Sequence, residues 1–259
     1  MSQPAQKDQG SNMNLKVLGS SSHGNCYILQ SGEDILLLDC GVPIKEIQKG
    51  LDFQLSGVSG VLVTHEHKDH SKAASDLMKA GMDLYASAGT FKSLGINGHH
   101  RGHMVEALHQ FEAGQFTVLP FNIQHDAEEP FGFLIFDQTT GEKLLYATDT
   151  YYVRNRFQGL NYILVECNYC LDILQANVEA GMVAGKLKNR ILQSHFSLAN
   201  VKDFLRVNVT ADTRKIVLMH LSGDNSDAAR MRREVEELTG IETVVADGGM
   251  EIGLALYPF

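Results

Sequence analysis

The chain has 259 residues, 44% of them hydrophobic, and carries 22 basic against 31 acidic side chains for a formal charge of −9. That length and apolar content can bury one substantial core, and α/β chains of this size commonly fold as one domain. The acidic balance repels a phosphate backbone over distance and disfavours an extended nucleic-acid footprint, although bound divalent cations would reverse the sign locally. No run of about 18 apolar residues and no charged-then-apolar leader is present, so we expect no membrane partner and a cytoplasmic location, that of the host cell if the chain is phage-encoded.

Residues 1–12 are polar, lack an apolar period and predict a disordered tail; a single domain is expected over 13–259. Short strands follow at Leu15–Leu18, Cys26–Gln30 and Ile35–Asp39, the last two joined as a hairpin by Ser31–Asp34. Pro43 with Ile44, Ile47 and Leu51 at helical spacing predicts a helix, and Gly60–Thr64 a strand that ends just before a histidine cluster. Ala73–Ala80 predicts a helix, Asp83–Ala86 a strand, Thr90–Leu94 a short helix and Gly95–His103 a polar loop. Strands at Phe116–Phe121 and Phe131–Asp137 lead through the turn Gln138–Gly141 into Lys143–Ala147, a second hairpin. Tyr162–Glu166, Ile216–Met219 and Glu251–Ala255 read as strands; Val178–Leu187, Val201–Val207 and Asp227–Leu238 read as helices. Hairpins open both halves and helices alternate with later strands, which fits two sheets packed face to face with helices outside, or an ordinary α/β sandwich.

The four cysteines, Cys26, Cys40, Cys167 and Cys170, sit in or beside apolar runs, where free thiols behave as small buried hydrophobes. Cys167 and Cys170 have CxxC spacing but no second pair or nearby histidine pair to complete a zinc site.

Chemistry concentrates in His65-Glu66-His67-Lys68-Asp69-His70, four potential ligands within six residues directly after a strand. Imidazole and carboxylate suit zinc, and a catalytic site must leave a coordination position open. His65 and His67 alternate and point the same way off an extended segment, while Asp69 and His70 turn away as a helix begins, so one segment can feed two metals. A solvated surface loop is the plain alternative. Four more residues close or follow apolar strands in order: Asp39, His125, Asp149 and His220.

This set resembles the metallo-β-lactamase superfamily pattern of strand-end Asp, HxHxDH, His, bridging Asp and late His, over nearly the whole chain from Leu15. The resemblance implies an αββα sandwich and two Zn2+ ions, with Mn2+ as the other option. It assigns His65, His67 and His125 to one metal, Asp69, His70 and His220 to the other, and Asp149 as the bridge. Asp39 resembles the family carboxylate that orients ligands, and Glu66 and Lys68 read as solvated spacers. Two cations a few ångströms apart can share a hydroxide and lower the pKa of water from about 15.7 to about 7, supplying a nucleophile at neutral pH.

His70 and Asp149 match the phosphodiesterase and thioesterase-like branches, and β-lactam-cleaving members resemble the chain less well at those places. Gln193-Ser194-His195-Phe196-Ser197 is similar to the histidine motif of tRNA-processing phosphodiesterases of this fold, with Glu166 as the carboxylate that orients His195; a helix-capping or core histidine is the alternative. We therefore expect Asp69, His195 and Glu166 to carry catalysis, Asp69 doubling as a ligand.

The opening Gly19–Cys26 loop resembles a bacterial and phage subgroup that includes YycJ/WalJ-type proteins and is equally compatible with a plain turn between two strands; His23 stands where many relatives carry a basic residue. That subgroup implies two activities. One is hydrolysis of 3′,5′-cyclic mononucleotides such as cyclic CMP and cyclic UMP, as in phage anti-Pycsar phosphodiesterases; the other is exonuclease action on DNA or RNA. The acidic charge and the lack of a Lys/Arg-rich appendage favour the small cyclic nucleotide, and relatives imply a homodimer. His99, His100 and His103 fall outside the ordered series, in a surface loop open to a dimer-edge, site-rim or third-metal reading. Tyr151, Tyr152, Arg154 and Arg156 follow Asp149 closely, either to contact a base or phosphate or to pack on a helix surface.

Overall fold

Two β-sheets and eight α-helices emerge from the alternating apolar pattern in a computed structural model, which describes residues 13–254. The 1–12 tail lies outside the described residues, as does Ala255 at the end of the last predicted strand. The first half supplies β1 (Asn14–Ser21), β2 (Gly24–Ser31), β3 (Asp34–Leu38), α1 (Ile44–Gly50), β4 (Val58–Leu62), α2 (Lys68–Ser71), α3 (Ala74–Lys79), β5 (Leu84–Ala86), α4 (Ala88–Leu94) and β6 (Gly102–Met104). The second supplies β7 (Phe111–Ala113), β8 (Phe116–Asn122), β9 (Phe131–Asp137), β10 (Lys143–Ala147), β11 (Tyr162–Glu166), α5 (Leu171–Glu179), α6 (Gly185–Ser194), α7 (Leu198–Asn208), β12 (Lys215–Met219), α8 (Ala228–Thr239), β13 (Glu242–Val245) and β14 (Glu251–Gly253). The sheets run β14-β1-β2-β3-β4-β5-β6 and β13-β12-β11-β10-β9-β8-β7.

Side-chain alternation explains the layering. On β11, Tyr162 and Leu164 enter the core between the sheets while Ile163 and Val165 face the helices outside. The inter-sheet core joins Leu15, Tyr27 and Leu38 of one sheet to Phe133, Tyr146 and Val217 of the other. Outer cores form where Leu77 and Phe91 cover the first sheet and where Val201, Leu205 and Met231 cover the second. This is the αββα sandwich expected from the sequence. Among the described residues no helix is long and apolar enough to cross a membrane.

Several local expectations are corrected. The predicted helix Val178–Leu187 straddles the break between α5 and α6, because Gly181 adopts φ +73° and ends the first of them. The predicted polar loop Gly95–His103 ends in β6, which pairs parallel with β5. Of the two readings of Gly19–Cys26, the structure shows the plain turn between two strands: β1 and β2 continue through it, with Gly19 opposite Cys26 and only Ser22 and His23 at the tip. The short edge strands β7 and β13 carry too few residues to register as a period.

Parallel pairing of β3 with β4 and of β10, β11 and β12 brings their carboxyl ends to one rim, where open α/β sheets place ligands. The rim is tightly packed: Cys40 N donates to His70 O at 2.7 Å, and a Cβ added at Gly41 would stand 1.7 Å from the Asp69 carbonyl oxygen. Only backbone displacement relieves such a clash, so Gly41→Ala is expected to destabilise the fold by about 3 kcal/mol or more. A lowered urea midpoint is the readout, and an unchanged midpoint would show that the α2 backbone yields freely.

Candidate metal centre

Six side chains singled out in the sequence follow strand ends at this rim. Asp39, Asp149 and His220 leave β3, β10 and β12 with φ of +56°, +45° and +52°. Non-glycine residues are rare in that region, and such conformations persist where surrounding contacts over-determine them. His65 lies just beyond β4, and Glu166 is the last residue of β11. His125 follows β8, which pairs antiparallel with β9, as β10 does, and so runs in the direction of β10.

Hydrogen bonds fix which ring nitrogens converge. His65 Nδ1 lies 3.0 Å from Thr64 Oγ1, whose hydroxyl donates to Asp39. His125 Nδ1 donates to Ser194 O at 2.9 Å, and His70 Nδ1 to Asp39 Oδ2 at 2.8 Å. Each ring therefore turns Nε2 inward, the arrangement metal-ligating histidines use. His67 Nδ1 stands 3.1 Å from His65 Nε2 and 3.2 Å from His125 Nε2. Three ring nitrogens aimed at one point repel one another unless a proton or cation sits among them.

Beside them, Asp69, His70, Asp149 and His220 form a second group; within each group the ligand atoms lie within 4.8 Å of one another and could hold a metal ion. Asp149 faces both. Its Oδ2 lies 3.6 Å from His125 Nε2 and 3.9 Å from His65 Nε2, while its Oδ1 lies 3.2 Å from His70 Nε2 and accepts from His220 Nδ1. The donors are imidazole nitrogens and carboxylate oxygens with rings oriented by hydrogen bonds, so the residues fit a pair of divalent ions.

Electrostatics agree with a cation-seeking cluster. Burial lowers the pKa of His65 well below the ordinary imidazole value, with the neighbouring His70 charge adding to it. Burial also lowers His125. His70 moves the other way: burial opposes its charge, but Asp149 and Asp39 outweigh burial and raise it well above the ordinary value. Burial pushes Asp149 up, and His220 and His70 overcome that and hold it well below the usual carboxylate range. Protons thus serve in the metal-free site where divalent ions would compete for the same atoms.

Asp39 is fully buried and saturated: Thr64 N and Oγ1, Tyr146 OH at 2.6 Å and His70 Nδ1 all donate to it. Among the described residues, His70 is the one member of the two groups that it hydrogen-bonds, and it acts by holding that ring. Glu66 departs from the solvated-spacer expectation, since it is half-buried and its Oε1 accepts from Glu128 N at 2.8 Å, tying down the loop after His125. Lys68 is exposed as expected.

Glu166 and His195 meet as a pair. Glu166 is fully buried, its Oε1 accepts from His195 Nδ1 at 2.6 Å, and its Oε2 accepts from Thr150 N and Phe196 N. Burial opposes the charge on His195, but Glu166 prevails and raises its pKa to about 9. That value exceeds the ordinary 6.5, so the contact stabilises the fold fully below about pH 6.5, and the contribution is lost as pH rises through about 9. In metal-stripped protein an NMR titration should place His195 near 9, and Glu166→Gln should lower that by about one unit or more. An unmoved titration would detach His195 from Glu166.

His67, Asp69, His125, Asp149, His195 and His220 line an open cleft of about 710 Å³, with Lys68 and Arg190 as its longer cations. His99, His100 and His103 stay apart: His103 bonds Asp83 at 2.8 Å and stacks on Tyr85, and among the described residues none of the three belongs to a group able to hold a metal. The four cysteines are free and buried. Residues not foreseen from the sequence, Asn25, Thr64, Tyr146 and Ser194, support the cluster through contacts that only the folded rim creates. Asn25 Nδ2, for example, lies 3.1 Å from His70 Nε2 and 3.3 Å from Asp69 O.

A sandwich of two seven-stranded sheets with paired His/Asp groups at one rim defines a hydrolase of the metallo-β-lactamase fold. The chain belongs to the beta-lactamase superfamily, whose domain model matches residues 36–221. It is similar to exodeoxyribonuclease WalJ of Streptococcus pneumoniae serotype 2, at 30% identity over 93% of this chain and 92% of that protein. Exodeoxyribonuclease YycJ of Bacillus anthracis is also 30% identical, over 87% of this chain and 89% of that protein. Among solved structures, the metallo-beta-lactamase fold protein YhfI from Bacillus subtilis superposes with a TM-score of 0.70 at 18% identity, covering 93% of this chain and 98% of that one. The short form of human tRNase Z does so at 0.65 and 15%, covering 93% and 99%. At those identities the two structures speak for the fold.

Proposed function

We propose that the chain is a divalent-metal-dependent phosphodiesterase that removes nucleotides from nucleic acid ends. The observation that carries phosphodiester cleavage is the buried Glu166 holding His195 at 2.6 Å beside the two donor groups. His65, His67 and His125 would hold one ion, Asp69, His70 and His220 a second, with Asp149 between them; the nitrogen and oxygen donors suit zinc, and manganese is the other option. Bound there, such ions supply Lewis acidity toward phosphoryl oxygens and an acidified water.

The chain's own groups do the rest. Burial opposes ionisation of Asp69, but its hydrogen bond to His70 holds it below the usual carboxylate range, ready to accept a proton from the attacking water. His195 spends Nδ1 on Glu166 and lines the cleft, so its other nitrogen is available to protonate the departing oxygen. Lys68 and Arg190 bring positive charge to a diester in the cleft. Similarity to two exodeoxyribonucleases along nearly the whole chain supports the nucleic acid substrate.

Hydrolysis of 3′,5′-cyclic mononucleotides such as cyclic CMP and cyclic UMP, counteracting Pycsar antiviral signalling, is the second reading. It is favoured by the cleft, whose 710 Å³ falls in the range of small-ligand sites, and by the net charge of −9. Metal-replete protein and its His67→Ala variant should be incubated with cyclic CMP, UMP, AMP and GMP and with a labelled single-stranded oligonucleotide, and the products separated by chromatography. Stepwise shortening, steeply weakened by salt, is expected. Conversion of cyclic nucleotides with an intact oligonucleotide would replace the first reading by the second; neither product would overturn both.

A further inference from the structure

The segment from Tyr151 to Arg156 leaves Asp149 and runs against α7, enclosing a cavity of about 420 Å³ that shares no lining residue with the cleft. Its backbone is fixed. Thr150 Oγ1 donates to Tyr152 O at 2.9 Å and accepts from Tyr152 N at 3.2 Å, and Asn200 Nδ2 donates to Tyr151 O at 3.1 Å. Its side chains are unspent: Tyr151 and Tyr152 are 38% and 54% exposed, and Arg154 and Arg156 are exposed. Among the described residues, neither phenol and neither guanidinium takes a hydrogen bond or ion pair.

The two arginines stand out against the rest of the chain. Arg101, Arg190, Arg206, Arg214, Arg230, Arg232 and Arg233 each pair with a carboxylate. In a protein of charge −9, two arginines left unpaired beside two exposed tyrosines make this pocket positive and aromatic, since its one carboxylate, Asp203, is paired with Arg206. Guanidinium forks match phosphate oxygens, and tyrosine faces stack on bases whatever their identity. The pocket is also close to the chemistry. Tyr151 is two residues from Asp149, a span of about 7 Å at most, and Phe196 on its wall follows His195 in the cleft.

We infer that this cavity is a second binding site, taking one nucleotide of a single-stranded DNA whose end lies in the cleft: Arg154 and Arg156 hold the phosphate, and Tyr152, the more exposed of the two phenols, stacks on the base. The inference rests on the exonuclease reading and gives that reading its grip on the strand.

The test uses metal-replete protein, a hydrolysis-resistant phosphorothioate oligothymidylate for binding, the ordinary oligonucleotide for shortening and bis(p-nitrophenyl) phosphate for basal turnover. The double variant Arg154→Gln, Arg156→Gln should bind the oligonucleotide about thirtyfold more weakly at low salt, and its log K against log salt should flatten by about 1.4, for two lost phosphate contacts. Tyr152→Ala should lose about tenfold with the slope unchanged. Turnover of the small diester should stay at the wild-type level in all variants, which reports an intact fold. Wild-type shortening of DNA with unaltered binding and slope in the variants would overturn the second site and leave the exonuclease reading standing. Wild-type binding that the variants lose, without any shortening, would keep the site and sink the exonuclease reading. Absence of both binding and shortening would sink both.

Discussion

Asp149→Ala is expected to lower phosphodiester turnover by about a thousandfold or more, equivalent to about 4 kcal/mol of barrier, and to strip metal from the purified protein. The size follows from position. Its two carboxylate oxygens face different groups of ring nitrogens, Oδ2 toward His65 and His125 and Oδ1 toward His70 and His220, so one truncation weakens both. It also leaves the buried His70 without one of the two carboxylates that favour its charge, and uncompensated buried charge is costly. Atomic emission on dialysed protein, alongside hydrolysis of a chromogenic diester, checks both halves. A variant that keeps two ions per chain and a wild-type rate would remove Asp149 from the centre.

His195→Ala should separate binding from chemistry. The side chain is absent from the donor groups that contain His65 or His70; it stands in a third group with Asp149, Glu166 and His220, where its Nδ1 is already spent on Glu166. Metal content should therefore hold at the wild-type level while turnover falls by about a hundred- to ten-thousandfold, the range that positioned proton donors contribute. The loss should shrink for substrates with a good leaving group such as p-nitrophenolate, because these depart without protonation. An equal loss for good and poor leaving groups would assign His195 a positioning role instead.

The centre was legible in the sequence to an unusual degree for one physical reason: four of its groups lie within a single turn of chain, and the others sit where apolar strands stop. Strand ends are visible as the last residue of an apolar run, which is how Asp39, His125, Asp149 and His220 could be picked out. What supports them was hidden. Tyr146 and Asn25 are ordinary residues of strands and Thr64 lies two residues past β4, and their value comes from neighbours distant in the chain, as when Tyr146 reaches Asp39 across the two sheets. Glu66 was misjudged for the same reason, since its burial depends on the loop after His125 folding over it. The helix assigned to Val178–Leu187 failed because its apolar spacing ran smoothly across Gly181, where the backbone reverses.

The division of donors between the halves of the chain has a bearing on synthesis. The first sheet's segment carries His65, His67, Asp69 and His70, whereas His125, Asp149 and His220 belong to the second, so each group in the centre draws from both. A nascent chain emerging from the ribosome holds half a claw at first. It gains the full set of donors only when β12 has been made and His220 beyond it has docked beside Asp149. A product that stops short of β12 therefore lacks His220 and holds an incomplete second group, so assembly of the centre waits on the docking of the second sheet.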